Sequence, residues 1–416
     1  MNMTVHFGLV RDRRSPLTKF LVLSPAFIAF VFLSCSSPAE PERPPATHSL
    51  TFNTGFPVKA RHAGVHTNQP DGREFVYFAD AVTHKKLLFF DTQGNLVDSV
   101  GLTAGIDSLG EIAGLSILSM DTIVLSSMYT NKVALIGRRG NVIGVTDLSP
   151  MLARPDSAYY ETWASATTPF LAGNACYFSI ALVANSIRQE QRAPLLNDAQ
   201  QTARYYHLNN LSPRIVSVTG IGDEPQVTFA LDSFYWKMHS GPFAMPESGL
   251  YECLNDLVFV RSNYSSVIQV LSAHDHAAHT SFSVASRHSA AAISPHATGP
   301  SAIFHLQDSV NQRLATGGYV QAIRYDVPSG HYLVVLVHSI PATSPAEERG
   351  LVRPFSILEY DSTFQLVREH EFEGRRHLMF SLLCLSTGTY IQRWEDQRVL
   401  MSGKHAFDLL PLDAGE

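Results

Sequence analysis

The residues whose spacing most resembles a reactive site are histidines. His274, His276 and His279 fall close together, with His288 and His296 further along. A His-x-His pair followed by a third imidazole is a metal-like pattern, and neutral imidazole suits zinc or copper. Asp275 is the only carboxylate nearby. The surrounding stretch, Ala273 to Pro300, is low in complexity and rich in Ala, Ser and His. It reads as a long loop or insertion, and the same spacing fits a polar loop with no metal. Two aromatic patches come next: Tyr159, Tyr160 and Trp163, then Phe234, Tyr235 and Trp236. On exposed loops such rings stack on a sugar or grip a peptide, and in a core they simply pack. Tyr160, Trp163, Tyr235 and Trp236 are therefore binding candidates, with Arg261 at a strand end beside them. Hydrolytic signatures are absent. No Gly-x-Ser-x-Gly, His-Glu-x-x-His or phosphate loop occurs, His370-Glu371 lacks the downstream His, and no Asp-x-Asp-x-Asp-Gly calcium loop is found. No catalytic residue and no cofactor is expected.

The elements that would carry these residues read as strand after strand. Phe75 to Ala79 leads to Lys86 to Phe90, a turn at Asp91-Thr92-Gln93-Gly94-Asn95, and Leu96 to Val100. Short apolar or alternating runs bounded by Gly, Asn and Asp are strand and hairpin signals. The unit then returns: Thr122 to Ser126, Lys132 to Ile136, a turn at Gly137-Arg138-Arg139-Gly140-Asn141, and Val142 to Val145. Lys86 matches Lys132 and Gly94-Asn95 matches Gly140-Asn141, both at an offset of 46. A strand-built repeat of this length reads as a β-propeller blade.

Later units are looser. Ala175 to Ile180 pairs with Tyr205 to Leu208 and Arg214 to Val218, and Asp256 to Val260 precedes Ser266 to Leu271. Tyr332 to Val337 precedes Phe355 to Asp361, whose Asp echoes Asp91. A last unit runs from Leu382 through Tyr390-Ile391-Gln392 to Val399-Leu400. About six units result, with seven or eight the alternatives. Leu50-Thr51-Phe52 is placed to pair with the last unit and close the ring, which removes exposed strand edges. Pro194 to Tyr205 reads as holding a short helix, and Ile106 to Leu118 as holding another turn or two. A pair of β-sandwiches or a β-solenoid is the other all-β reading.

The first 34 residues read as a cleavable signal. Arg11, Arg13, Arg14 and Lys19 precede an uncharged apolar run from Phe20 to Leu33, and Ser34 stands before Cys35. A Cys straight after the small residue makes it a lipoprotein signal, with Cys35 the lipidated N-terminus. A transmembrane helix needs ~20 apolar residues, and this run is shorter and holds Pro25. Residues 35–48 follow as a tether. Ser36 to Pro45 holds four prolines, which keep a chain extended. Ser36, not Asp, follows the Cys, so the expected address is the outer membrane, in either leaflet. Residues 49–416 form the propeller domain.

Charge narrows the partners. Residues 1–34 hold four basic residues and one acidic, a net +3, which leaves −9 for the rest of a chain whose total is −6. No basic stripe exists, because Arg138-Arg139 and Arg375-Arg376 are isolated pairs, and nucleic-acid binding is excluded on that ground. With Cys35 lipidated, Cys176, Cys253 and Cys384 remain, an odd number set beside apolar runs. One disulfide is open to them, and burial as small apolar residues is the alternative.

The signal, the Pro-rich tether and hairpins such as Leu87 to Asn95, Asp121 to Asp147 and Phe355 to Asp361 resemble the TolB-like six-bladed propeller lipoproteins of unknown function typical of Bacteroidota. The resemblance covers nearly the whole mature chain. It implies a fold and an envelope address, and no functional residue. The function expected is thus a lipid-anchored, non-enzymatic binding or scaffold protein for an envelope protein, peptide or glycan. The alternatives are a propeller enzyme acting on glycans, a hydrolase or lyase, and a metal-handling protein using the His-rich loop.

Overall fold

The computed structural model describes residues 49–410 apart from 58–62, 69–70, 81–82, 111, 128–129, 153–159, 165–169, 173–174, 185–214, 231–249, 262–265, 274–277, 289–315, 342, 345–352 and 395–401. The signal and tether assigned to residues 1–48, with Cys35, lie outside the described residues.

Strand β1 (Ser49–Asn53) opens the domain. Three strand sets follow: β2 (Ala63–Thr67), β3 (Glu74–Asp80), β4 (Lys86–Phe90) and β5 (Leu96–Gly101); then, after helix α1 (Thr103–Leu109), β6 (Ile112–Ser119), β7 (Thr122–Ser127), β8 (Lys132–Gly137) and β9 (Val142–Asp147); then, after the short α2 (Ser149–Leu152), β10 (Tyr160–Ala164), β11 (Phe170–Ala172), β12 (Ala175–Ala184), β13 (Ile215–Thr219) and β14 (Gln226–Ala230). The second half holds β15 (Leu250–Leu254), β16 (Leu257–Arg261), β17 (Val267–Ser272) and β18 (Ala278–Ser283); β19 (Tyr319–Asp326), β20 (His331–Val337), β21 (Phe355–Tyr360) and β22 (Leu366–Phe372); and β23 (His377–Leu385), β24 (Gly388–Arg393) and β25 (Lys404–Leu409).

The sets are antiparallel, meanders except for the third, where β10 and β11 both pair with β12, and the described strands fall into six sheets. β1 completes the last of them by pairing with β25, Leu50 opposite Phe407 and Phe52 opposite His405. The first strand thus seals the last sheet, as Leu50-Thr51-Phe52 led us to expect. The first strands of neighbouring sheets lie against one another, β15 on β19, β19 on β23 and β23 on β2, with β11 touching both β6 and β15. That arrangement is a β-propeller, with these strands innermost.

The core sits between sheets. Phe52, Phe78, Phe90 and Phe407 join the last sheet to the β2–β5 sheet. Leu87, Phe89, Leu125 and Ile136 join that sheet to the next. Phe259, Val270, Val334 and Leu358 join the β15–β18 and β19–β22 sheets. Because both faces of a sheet are covered, β20 and β21 are apolar along nearly their whole length and buried apart from His331.

The turns repeat with the strands. Asp91 Oδ1 accepts from the backbone N–H of Gln93 and Asn95, and Gly94 takes φ +90°. Asp361 Oδ1 does the same for Thr363 and Gln365, and the residue equivalent to Gly94 is Phe364, at φ +61°. A phenylalanine tolerates this backbone only because its ring is held. Phe364 stacks on Phe282 at 5.2 Å and on Tyr332 at 5.4 Å. At Gly94 a Cβ would lie 2.3 Å from the Thr51 carbonyl oxygen, and at Gly140 one would lie 2.6 Å from that of Gly101. The glycines that define the 46-residue repeat are where a turn meets the outer strand of the preceding sheet.

Two expectations are corrected and one is met in part. Of the turn or two of helix expected within Ile106 to Leu118, α1 supplies the part up to Leu109, and β6 occupies Ile112–Ser119. The run Ile112-Ala113-Gly114-Leu115 is apolar on both faces, which a helix and a buried inner strand share. The stretch from Ala273 to Pro300 is not all loop, since Ala278–Ser283 forms the outer strand β18. The last sheet takes its third strand from Lys404–Leu409; Val399 and Leu400 lie outside the described residues, as do Tyr205 to Leu208 and Pro194 to Tyr205. Cys176, Cys253 and Cys384 are free thiols. Burial pushes Cys176 upward and holds Cys253 and Cys384 at about 11, so all three stay protonated.

Candidate functional site

A polar cluster caps the interface between the β15–β18 and β19–β22 sheets. Its origin is strand alternation. Side chains two apart share a face, and on β18 and its exit Phe282 and Val284 face the shared core, so Ser286 and His288 continue that face beyond it. From β20, Val334 and Leu336 face the same core and His338 follows them. On β21 and β22, Leu358 stands opposite Glu369 and Ser356 opposite Glu371. Where the apolar residues run out, the alternation delivers Ser286, His288, His338, Ser356, Glu369 and Glu371 to one place.

The imidazoles of His288 and His338 stack with centroids 3.6 Å apart and planes 10° from parallel. His338 is buried, and its Nε2 lies 2.7 Å from Ser356 Oγ. Burial first, and then the neighbouring His288, lower its pKa to about 4. It is therefore neutral at ordinary pH. Ser286 Oγ donates to Glu369 Oε1 at 2.8 Å. Glu371 accepts from the Arg287 guanidinium and lies 3.3 Å from His288 Nε2. Those contacts, the His288 bond first, hold its carboxyl below the ordinary range. Ala285, Ser286, Arg287, Glu369 and Glu371 line an open cleft of about 630 Å³ beside the stacked rings. Nitrogens of His288 and His338 and an oxygen of Glu369 all lie within 4.8 Å of one another.

The support beneath His338 is equally specific. Arg353 is 1 % exposed, donates to the carbonyls of His338 and Gly317, and lies over the Tyr319 ring. The His338 N–H donates to Pro354 O at 2.9 Å. A buried guanidinium thus ties the start of β19 to the end of β20.

Nearer the axis, charges answer one another. Glu252 on the inner strand β15 accepts from the Ile323 N–H, pairs with Arg324 at 3.0 Å and with Arg261 at 3.6 Å. Arg261 is thereby corrected as a binding candidate. It is 3 % exposed and donates to Val320 O at 2.6 Å, joining two sheets. Asp326 accepts from Thr389 Oγ1 at 2.6 Å and from the Ser329 N–H.

The other sequence candidates divide. Tyr160 and Trp163 sit on β10, opposite Ala184 and Ala181 of β12. Tyr235, Trp236, His274, His276 and His296 lie outside the described residues. His279 is exposed on β18, its ring edge-on to Phe364 at 6.4 Å, and it does not join the cluster. His288 does. His338, Glu369 and Glu371 carried no sequence signal as a set, because they come from different strands; their only mark is a polar residue where an apolar alternation ends.

No family model and no curated protein matches the chain. Solved structures do. A member of the DUF4221 family from Bacteroides vulgatus superposes with a TM-score of 0.60 at 12% identity, covering 88% of this chain and 96% of that one. A putative exported protein from Bacteroides fragilis aligns with a TM-score of 0.44 at 10% identity, over 86% and 93% of the two chains. The first likeness shows the fold: this chain is a β-propeller.

Proposed function

We propose that the protein is a lipid-anchored envelope lipoprotein, tethered through Cys35, whose six-bladed propeller binds a protein, peptide or glycan partner on the face that carries the cleft at His288. The observation that carries this reading is the contrast between axis and rim. Among the described residues the inner-strand carboxylates Glu252 and Asp326 are engaged by Arg324, Arg261, Thr389 and backbone N–H groups. Neither is left as a free acid or base facing a second carboxylate, which glycoside hydrolysis would need. The cleft instead offers Arg287, exposed and charged, beside Glu371 and Ser286, a surface suited to recognition. The membrane address rests on the sequence of residues 1–45 alone.

Two measurements test the reading. Metabolic labelling with a fatty-acid analogue should mark the full chain and fail on Cys35→Ser; equal labelling of both refutes the anchor. A photo-cross-linking residue at position 285, in the cleft lining but outside its charged groups, should capture a discrete envelope partner in cells. The same residue at Leu96, on the outer strand β5, should not. Equal capture at both positions, or none at 285, would remove the cleft from the proposal.

A further inference from the structure

We propose that His288, His338 and Glu369 form a binding site for a divalent transition metal such as zinc, at the junction of the β15–β18 and β19–β22 sheets. This goes beyond the binding role argued above and stands on geometry alone. Two imidazoles and one carboxylate are a donor set that suits zinc, which takes His nitrogens at ~2.0–2.1 Å and carboxylate oxygens at ~2.0–2.2 Å. Tetrahedral ligands at such lengths stand about 3.3 Å apart, and the three donors already lie within 4.8 Å of one another.

Each donor has an outer polar partner. Ser356 holds His338, Ser286 holds Glu369, and Glu371 with Arg287 meets His288. Such partners are the usual accompaniment of metal ligands. The open side of the cleft leaves room for a fourth ligand from solvent or from a partner. Lone pairs on rings 10° from parallel do not converge on one point. Binding therefore requires the rings to splay by side-chain rotation. The site is distinct from the His274, His276 and His279 spacing, of which only His279 is described, on β18.

The test is zinc titration of the chelator-stripped full chain against a chromophoric competitor, with cobalt(II) absorption as a report on coordination. One zinc per chain is expected, with visible cobalt bands of a four-coordinate site. His288→Gln and Glu369→Gln should each weaken zinc binding by at least ~100-fold, beyond the ~10–100-fold that loss of an outer partner such as Ser356 costs. Both positions are partly exposed, so these variants keep the proposal testable if His338→Ala fails to fold. His279→Ala should bind like the parent. Absence of stoichiometric zinc binding, or binding that survives both Gln variants, overturns the site; loss on His279→Ala reassigns the metal to the His-rich stretch. None of these outcomes alters the cross-linking result expected at position 285.

Discussion

Replacing Gly94 by alanine probes the joint that closes the ring. Gly94 has φ +90°, and a Cβ there would stand 2.3 Å from the backbone oxygen of Thr51, on the strand that seals the last sheet. Gly55 provides the control. Its φ is +72°, and a Cβ would meet nothing within 4 Å. Left-handed backbone alone costs an L-residue roughly 1 kcal/mol, so Gly55→Ala should lose about that much. At Gly94 the obstacle is a carbonyl fixed in a ladder, which cannot rotate away like a side chain. Forcing the backbone apart should add ~1–3 kcal/mol, the usual range for overpacking. Equilibrium urea unfolding of the full chain reads the difference as a lower midpoint at unchanged slope. Equal losses in the two variants would refute the reasoning, because they would mean that the turn does not press on β1.

Other expectations follow from single side chains. Phe364→Gly should be at least as stable as Phe364→Ala, reversing the normal order, since glycine relieves a φ of +61° worth about 1 kcal/mol; a more stable alanine variant would deny the strain. Glu252→Ala should cost about 3 kcal/mol or more, because it strands Arg261 in the interior and leaves the Ile323 N–H without its acceptor; a loss under 1 kcal/mol by chemical denaturation would contradict this. His405 is fully buried on Phe78, and burial lowers its pKa to about 4. The unfolded chain therefore takes up a proton first as pH falls. Stability from this group is complete above pH ~6.5 and lost between there and pH ~4, by up to roughly 3 kcal/mol. His405→Leu should flatten that part of the stability profile, and an unchanged slope would exclude His405 as its source.

The parts of the fold legible in the sequence were those that recur locally. Asp91 and Gly94-Asn95 announce a turn through side-chain acceptors and positive φ, and the same chemistry returns at Asp361. The role of Leu50-Thr51-Phe52 was legible because an apolar strand without a local partner must pair elsewhere. Strand β25 was not. Lys404-His405-Ala406-Phe407-Asp408-Leu409 mixes polar and apolar residues, and His405 is tolerable inside only because Gln392 and Phe78 meet it. Ile112 to Ser119 was not legible as a strand for the opposite reason, as an apolar run carries no period. The cluster at His288 was half legible. Its histidine stood out by type, but the grouping with His338 and Glu369 depends on how two sheets abut, which no spacing along the chain encodes. Arg261 shows the converse: a charge at a strand end looked available, and the fold had already used it.

The seal between β1 and β25 also orders events in time. Ser49 pairs with Asp408, so the strand synthesised first waits for the one synthesised nearly last. Bringing such distant ends together costs roughly 5 kcal/mol of chain entropy before any contact rewards it. Until then β25 offers an open edge to any stranger. Any chain cut off short of Lys404 keeps β1 without its mate, however well the earlier sheets have formed. Completion of the ring is thus a check on how far the polypeptide extends: only a copy that reaches β25 can hide its own edges.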